Sequence, residues 1–180
     1  MTILPTAYLP AASYFCTDLL HGDYRIEVAE TYPKQTFRNR CLIRDTHGRV
    51  VRLTVPVCKT EQPQRTGDVR ISYQTKWQHE HWNAILSYYG HRPYFLYYAD
   101  YIRPFYERQY DCLCRFNHEL TETLCSLLRN TPPAALPPFR GTDHWSGLQW
   151  NKDDKGLNAL SILDILFEYG PETLLYLDKR

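Results

Sequence analysis

Residues 32–57, Y-P-K-Q-T-F-R-N-R-C-L-I-R-D-T-H-G-R-V-V-R-L-T-V-P-V, constrain the fold more than any other stretch of the chain. Phe37, Asn39, Cys41 and Ile43 alternate with Arg38, Arg40, Leu42 and Arg44, the period of two that marks an extended strand. Asp45-Thr46-His47-Gly48-Arg49 reads as a turn, with Gly48 free to take positive φ. On the return, Val51, Leu53, Val55 and Val57 form an apolar row opposite Val50, Arg52 and Thr54, and Pro56 marks a strand end or an edge. The predicted β-hairpin therefore collects Lys34, Arg38, Arg40, Arg44, Arg49 and Arg52. Two readings fit that cluster. Arginine offers a rigid fork of donors, which suits phosphate, carboxylate or pyrophosphate. Cations on a strand also keep a sheet edge solvated and unaggregated.

The formal net charge of the chain is only +1, so acids elsewhere balance the hairpin and the positive surface is local. With a pI of about 7.6 and no recognised nucleic-acid module in the sequence, the electrostatic footprint of a nucleic-acid binder is weak, and no nucleic-acid partner is expected. A length of 180 residues fits one domain, 1–180, with enough chain to bury a core. The 15 tyrosines stand out, because each buries a ring and leaves a hydroxyl to be placed, in a core or at a polar cleft. None of the six cysteines, Cys16, Cys41, Cys58, Cys112, Cys114 and Cys125, sits in a C-x-x-C pair or at zinc spacing, so no metal site is expected. The first ten residues lack a basic stretch and an apolar run, and no segment is long enough to span a membrane. Reduced thiols and a cytoplasmic location are the expectation.

Along the chain, residues 2–9 read as a strand, 11–20 as a helix stopped at His21-Gly22, and 24–29 as a second strand. After the hairpin come a loop at 59–68 and a short strand at 69–73. Thr75-x-x-Gln78 fits a capping box ahead of a stripe of Trp77, His81, Ile85 and Tyr88. Residues 94–107 are aromatic and interrupted by Pro104. Leu113, Phe116, Leu120, Leu124 and Leu127 then give an amphipathic helix over 111–129, and 132–156 read as irregular. Ser161-x-x-Asp164 opens a last helix, closed by Gly170-Pro171. The predicted class is α+β: a strand-rich N-terminal half (strand-helix-strand plus β-hairpin) packed against a helical C-terminal half.

No familiar catalytic signature occurs: there is no P-loop, G-x-S-x-G or H-E-x-x-H. His81 shares a helix face with Trp77 and Tyr88, and either acts as a general base or serves as a core-edge histidine. Glu27 and Glu30, just before the hairpin, are either site carboxylates or partners for Arg38 and Arg40.

Five segments in order resemble the WbqC-like family of bacteria, most closely the form found in Bacteroides-type organisms. They are A-Y-L-P-A-A-S-Y-F (7–15), I-E-V-A-E-T-Y-P-K-Q-T-F-R-N-R-C-L-I (26–43), L-T-V-P-V (53–57), W-Q-H-E-H-W-N-A-I (77–85, with P-Y-F-L-Y-Y beyond) and L-S-I-L-D-I-L-F-E-Y-G (160–170). The resemblance implies a cytoplasmic protein of O-antigen or other surface-polysaccharide biosynthesis, with glycine transfer onto a sugar as one proposed chemistry. Its partner would be a sugar nucleotide or a lipid-linked sugar; the resemblance leaves cofactor and oligomeric state unknown. Positions that match the family pattern are Tyr8, Pro10, Tyr14, Lys34, Arg38, Asn39, Arg40, Trp77, His81, Tyr94 and Asp164. On this reading Lys34, Arg38 and Arg40 hold a phosphate or carboxylate, and His81 takes the proton from the attacking group. Asn39 supplies hydrogen bonds, and Tyr8, Tyr14, Trp77 and Tyr94 line the substrate. The alternative is a non-catalytic module that recognises an anionic sugar nucleotide or a pathway enzyme. The chain departs from its relatives in carrying Pro5-Thr6 where many have Gln-Pro, and in being shorter before the final motif.

Overall fold

The computed structural model describes residues 2–131, 139, 141–142 and 159–177, so most of the expected irregular segment at 132–156 lies outside the described residues. The strand-helix-strand unit forms at the N-terminus. β1 (Thr2–Pro5) and β2 (Tyr24–Glu27) pair in parallel, with Thr2 opposite Tyr24 and Pro5 opposite Glu27. The expected single helix at 11–20 is instead a 3₁₀ turn (Ala12–Tyr14) followed by α1 (Thr17–His21). The break has a packing cause. Tyr14 and Phe15 both enter the core, the Tyr14 hydroxyl donates to the Pro5 carbonyl at 2.6 Å, and Cys16 turns extended to open α1. Gly22 closes α1 in the left-handed conformation (φ 79°).

The hairpin comprises β3 (Arg40–Arg44) and β4 (Val50–Thr54), with Arg40 opposite Thr54, Leu42 opposite Arg52 and Arg44 opposite Val50. Asp45 builds its turn, accepting the backbone N–H groups of His47 (2.8 Å) and Arg49 (2.9 Å) around a left-handed Gly48. Cys41, Ile43 and Leu53 face inward and are buried. The strand begins three residues later than the alternation predicts, because residues 36–39 form a turn closed by Asn39 N–H to the Thr36 carbonyl (3.2 Å). The short strand expected at 69–73 is reduced to isolated bridges from Arg70 to Cys112 and from Ile71 to Val57.

In the helical half, α2 (Trp77–Tyr89) buries Trp77, His81, Ile85 and Tyr89, so the stripe ends at Tyr89 rather than Tyr88. The capping box does not form. Lys76 is the N-cap, and Gln78 donates instead to the carbonyls of Phe105 (3.2 Å) and Arg108 (2.6 Å). α3 (Phe95–Ile102) tightens at Pro104 into a 3₁₀ turn (Arg103–Tyr106). α4 (Leu113–Leu128) is buried nearly all round. Its apolar stripe packs as expected, and its polar side is also enclosed, held by several side-chain hydrogen bonds although Asn117 Oδ1 and His118 Nε2 are buried without one. Asn117 donates to Thr6 Oγ1 (3.0 Å) and to the Arg38 carbonyl (2.7 Å), and Glu122 accepts the Tyr24 hydroxyl.

β5 (Gly141–Thr142) adds to β2 in parallel, giving the order β1-β2-β5. The C-terminal piece is α5 (Leu163–Tyr169), a 3₁₀ turn (Gly170–Glu172) and α6 (Thr173–Leu177). Just before α5 the chain stitches the two strand regions together. Ser161 N–H donates to the Leu42 carbonyl of β3 (2.8 Å), and Ile162 N–H to the Pro10 carbonyl after β1 (2.9 Å). Strands gather in the N-terminal half and helices in the C-terminal half, so the class is α+β. Among the described residues, no helix is long and apolar enough to cross a membrane.

Candidate functional site: an arginine face and its cavity

Residues two apart on a strand share a face, so Arg40, Leu42 and Arg44 stand on the outer side of the hairpin with Arg52, which lies opposite Leu42. Arg40 and Arg52 line a groove of about 260 Å³ between the hairpin and the turn that carries Gln35 and Thr36. Gln35 holds a left-handed φ of 64°, and its carbonyl accepts Arg40 Nη1 at 3.5 Å. Among the described residues no carboxylate pairs with Arg40 or Arg52. Nε of Arg40 is buried without a hydrogen-bond partner. Both arginines thus line one groove, and neither has a carboxylate partner among the described residues.

Further along the same face, Arg44 enters a larger cavity of about 560 Å³, whose polar and aromatic wall is Ser13, Ser161, Asp164, Tyr169 and Tyr176. Asp164 sits in the first turn of α5, where its charge complements the helix dipole. Arg44 Nε lies 3.9 Å from Asp164 Oδ1, within ion-pair range but beyond a hydrogen bond, and that oxygen is buried with no hydrogen-bond partner. Tyr169 and Tyr176 stack at 4.1 Å to form an aromatic side. Behind Arg44, the Tyr89 hydroxyl accepts its backbone N–H at 3.2 Å, and burial keeps that phenol protonated. A carboxylate and a guanidinium that leave each other partly unsatisfied, beside hydroxyls and an aromatic wall, make a small-ligand site.

The residues singled out in the sequence are distributed differently. Arg38 is fully buried, and its Nε and Nη2 donate to Oε1 (2.6 Å) and Oε2 (2.8 Å) of Glu30. Lys34 is exposed on the preceding turn. Lys34, Arg38 and Arg40 therefore do not converge on one concave surface, and the reason is the 36–39 turn, which takes Arg38 out of the strand alternation and into the core. Of the two readings of Glu30, charge partner holds. Asn39 is buried, with Nδ2 donating to the Val55 carbonyl at 2.9 Å.

His81 and Trp77 lie in the core, on the inward side of the hairpin, and line neither cavity. The Tyr8 hydroxyl is 2.8 Å from His81 Nδ1 and 2.9 Å from the Tyr106 hydroxyl, and the Trp77 ring meets His81 edge-on at 5.2 Å. Burial pushes the imidazole down to about 4, against a backbone hydrogen bond at Thr54 that raises it. The ring is neutral at pH 7. The expectation that Trp77 and His81 share a cleft with the basic hairpin is corrected by this placement: they pack behind the arginine face. Tyr14 is tied to Pro5, and Tyr94 belongs to a separate groove with Tyr97, Tyr98 and Tyr101.

The groove and cavity thus take Arg40 from the expected set and add Arg44, Arg52, Ser13, Ser161, Tyr169 and Tyr176. Strand alternation counted from Arg40 would have grouped the three arginines. The cavity also draws on two of the motif segments, 7–15 and 160–170, together with Arg44 just past the end of the 26–43 segment, although these are far apart in the chain.

Comparison with known proteins gives two matches. The family model described as the WbqC-like protein family matches residues 6–136. The "Uncharacterized protein Rv1507c" of Mycobacterium tuberculosis is 30% identical over 130 residues, covering 71% of this chain and 55% of the relative. The chain therefore spans about half the length of that relative. No solved structure matches significantly.

Proposed function

The chain belongs to the WbqC-like protein family, and from that premise we propose that it binds a glycosyl pyrophosphate in surface-polysaccharide biosynthesis. Sugar nucleotides and lipid-linked sugars share that group. The observation that carries the reading is that the Arg40–Arg52 groove, whose arginines have no carboxylate partner among the described residues, and the Arg44–Asp164 cavity take their arginines from one face of the hairpin. The pyrophosphate lies on Arg40 and Arg52, where forked donors meet planar oxygens. The sugar enters the cavity against Tyr169 and Tyr176. The pathway assignment rests on family membership, and a cytoplasmic location follows from it, since sugar nucleotides are made there.

The finer step is transfer of glycine or a similar acyl group to the bound sugar. The sugar hydroxyl or amine attacks the acyl carbon, Asp164 takes its proton, and the donor's leaving group departs with the bonding electrons. Arg44 faces the carbonyl oxygen as it gains charge. Asp164 fills the role that the helix stripe suggested for His81, because the Asp164 carboxylate borders the cavity and His81 does not.

The second reading, a non-catalytic module, is favoured by one feature: the arginine face is complete without Asp164. Titration of the protein with pyrophosphate and with uridine diphosphate glucose tests the shared claim. Asp164→Asn then separates the readings. The variant retains binding under both, and loses turnover with an acyl donor only if the site is catalytic.

A further inference from the structure

Tyr94, Tyr97, Tyr98 and Tyr101 fall at i, i+3, i+4 and i+7, which is one stripe along α3 and its N-cap. Phe95, Ala99 and Ile102 take the core-facing side of the helix, so the tyrosines stand on its flank. They line a groove of about 300 Å³ that Leu127 and Pro171 complete with apolar surface. The Tyr94 ring lies 6.2 Å from that of Tyr97 and stacks on that of Tyr98 at 6.5 Å. Their hydroxyls set these residues apart from the core tyrosines. Tyr8, Tyr14, Tyr24, Tyr89 and Tyr110 each bond their hydroxyl inside the protein. None of the four groove hydroxyls bonds to another described residue, and none is sealed from solvent. On the opposite wall α4 ends in a Schellman turn. Asn130 is left-handed (φ 53°) and donates its N–H to the Leu127 carbonyl at 3.0 Å, and Thr131 N–H donates to the Ser126 carbonyl at 2.9 Å. That backbone fixes Asn130 and leaves its side-chain amide at the groove without a partner among the described residues. No described lining residue is charged.

We propose that this groove binds a neutral di- or oligosaccharide. A pyranose offers an apolar C–H face and a rim of hydroxyls, and it is held by aromatic rings bordered with uncharged donors and acceptors. The tyrosine stripe, the Asn130 amide and the Thr131 hydroxyl supply both. An acyl chain would cover the same rings but strand the hydroxyls and the amide without hydrogen bonds. An anionic ligand would find no cation. From Tyr94 to Tyr101 the stripe runs about 10 Å along the helix axis, room for a disaccharide. Tyr169 and Pro171, on either side of Gly170, place the Arg44–Asp164 cavity and this groove on one turn. Saccharide binding here does not require the arginines.

The test uses the whole protein with maltose, lactose and mannobiose as probes, titrated by calorimetry and observed at the ligand by saturation-transfer NMR. At least one should bind, with an affinity that stays constant as salt rises, since no charge is paired. Saturating pyrophosphate should not displace it, so this site and the arginine face stand or fall separately. Tyr97 is 72% exposed, so Tyr97→Ala leaves the core intact. It should weaken the sugar about two- to ten-fold. Asn130→Gly keeps the left-handed turn and removes only the amide. It should melt no lower than the parent and weaken the sugar by a similar factor. A protein that binds none of the three sugars overturns the proposal, as does a parent-like affinity in either folded variant. Displacement by pyrophosphate would move the sugar to the arginine face and overturn it. Self-association of the parent that Tyr97→Ala abolishes would assign the groove to a second copy and overturn it as well.

Discussion

Arg38 and Glu30 form a two-pronged ion pair inside the protein, with the guanidinium completely buried and bonds of 2.6 and 2.8 Å. Thr66 Oγ1 adds a third bond to the same carboxylate at 3.3 Å. Removing one partner leaves a buried charge alone, which costs about 3–5 kcal/mol. For a chain of this size that lowers the melting temperature by on the order of 10 °C. Arg38→Met and Glu30→Leu are each expected to show that loss, and the double variant should recover part of it. Single variants that melt with the parent would mean that the pair does not hold the 36–39 turn in place.

The His81 environment predicts a pH dependence of stability. Its folded value is about 4 because burial disfavours the cation, whereas the free side chain titrates near 6.5. Between those values the unfolded chain binds more protons than the folded one. Stability is therefore fully present above about pH 6.5 and falls as the pH drops towards 4, by on the order of 3 kcal/mol. Melting curves across that window should show the slope in the parent and a flatter one in His81→Asn. An equal slope in both would place the titrating group elsewhere.

Gly170 closes α5 with φ 53° and ψ −126°. A Cβ at this position would come within 2.6 Å of the Tyr94 ring. Gly170→Ala should lose about 1–3 kcal/mol from backbone strain alone. Chemical denaturation would register it as a lower midpoint with an unchanged slope, and an unshifted midpoint would contradict the packing of Tyr94 on this turn.

Truncation after residue 158 removes Ile162, Leu163, Leu166 and Phe167, all fully buried, together with the backbone bonds from Ser161 and Ile162 to the strand regions. Four such side chains contribute about 6–12 kcal/mol of burial, comparable with the entire stability of about 5–15 kcal/mol for a typical protein. The truncated chain should be insoluble or unfolded. A soluble form with an undiminished melting transition would refute the docking of α5.

The hairpin, the apolar stripe of α4 and the final helix were legible because each is a local periodicity. What escaped the sequence depends on contacts between distant residues. The alternation that places Arg40, Arg44 and Arg52 on one face also suggested Arg38 there, and within four residues of it Asn39 is the single turn former, too little to overrule that pattern. Its real partner, Glu30, stands eight positions away. Tyr8 and His81, 73 positions apart, look like independent ligands until the fold joins them by a buried hydrogen bond. Likewise Ser13, Arg44 and Asp164 are unremarkable singly, and become a cavity only when Ser161 bonds to Leu42 and Ile162 to Pro10. Thr75 and Gln78 show the converse: a sound local signal overridden because Gln78 finds better partners at Phe105 and Arg108.

The arginine face is the central claim, and Arg52→Ala tests it most directly, because Arg52 is an exposed strand residue with no carboxylate partner among the described residues. Isothermal titration with pyrophosphate and with uridine diphosphate glucose should show binding by the parent that weakens as salt rises. In Arg52→Ala the loss of a charge-assisted bond, about 1.5–3 kcal/mol, should weaken both ligands by about ten- to a hundred-fold. A parent that binds neither ligand, or an Arg52→Ala protein that binds both as tightly as the parent, would contradict the site.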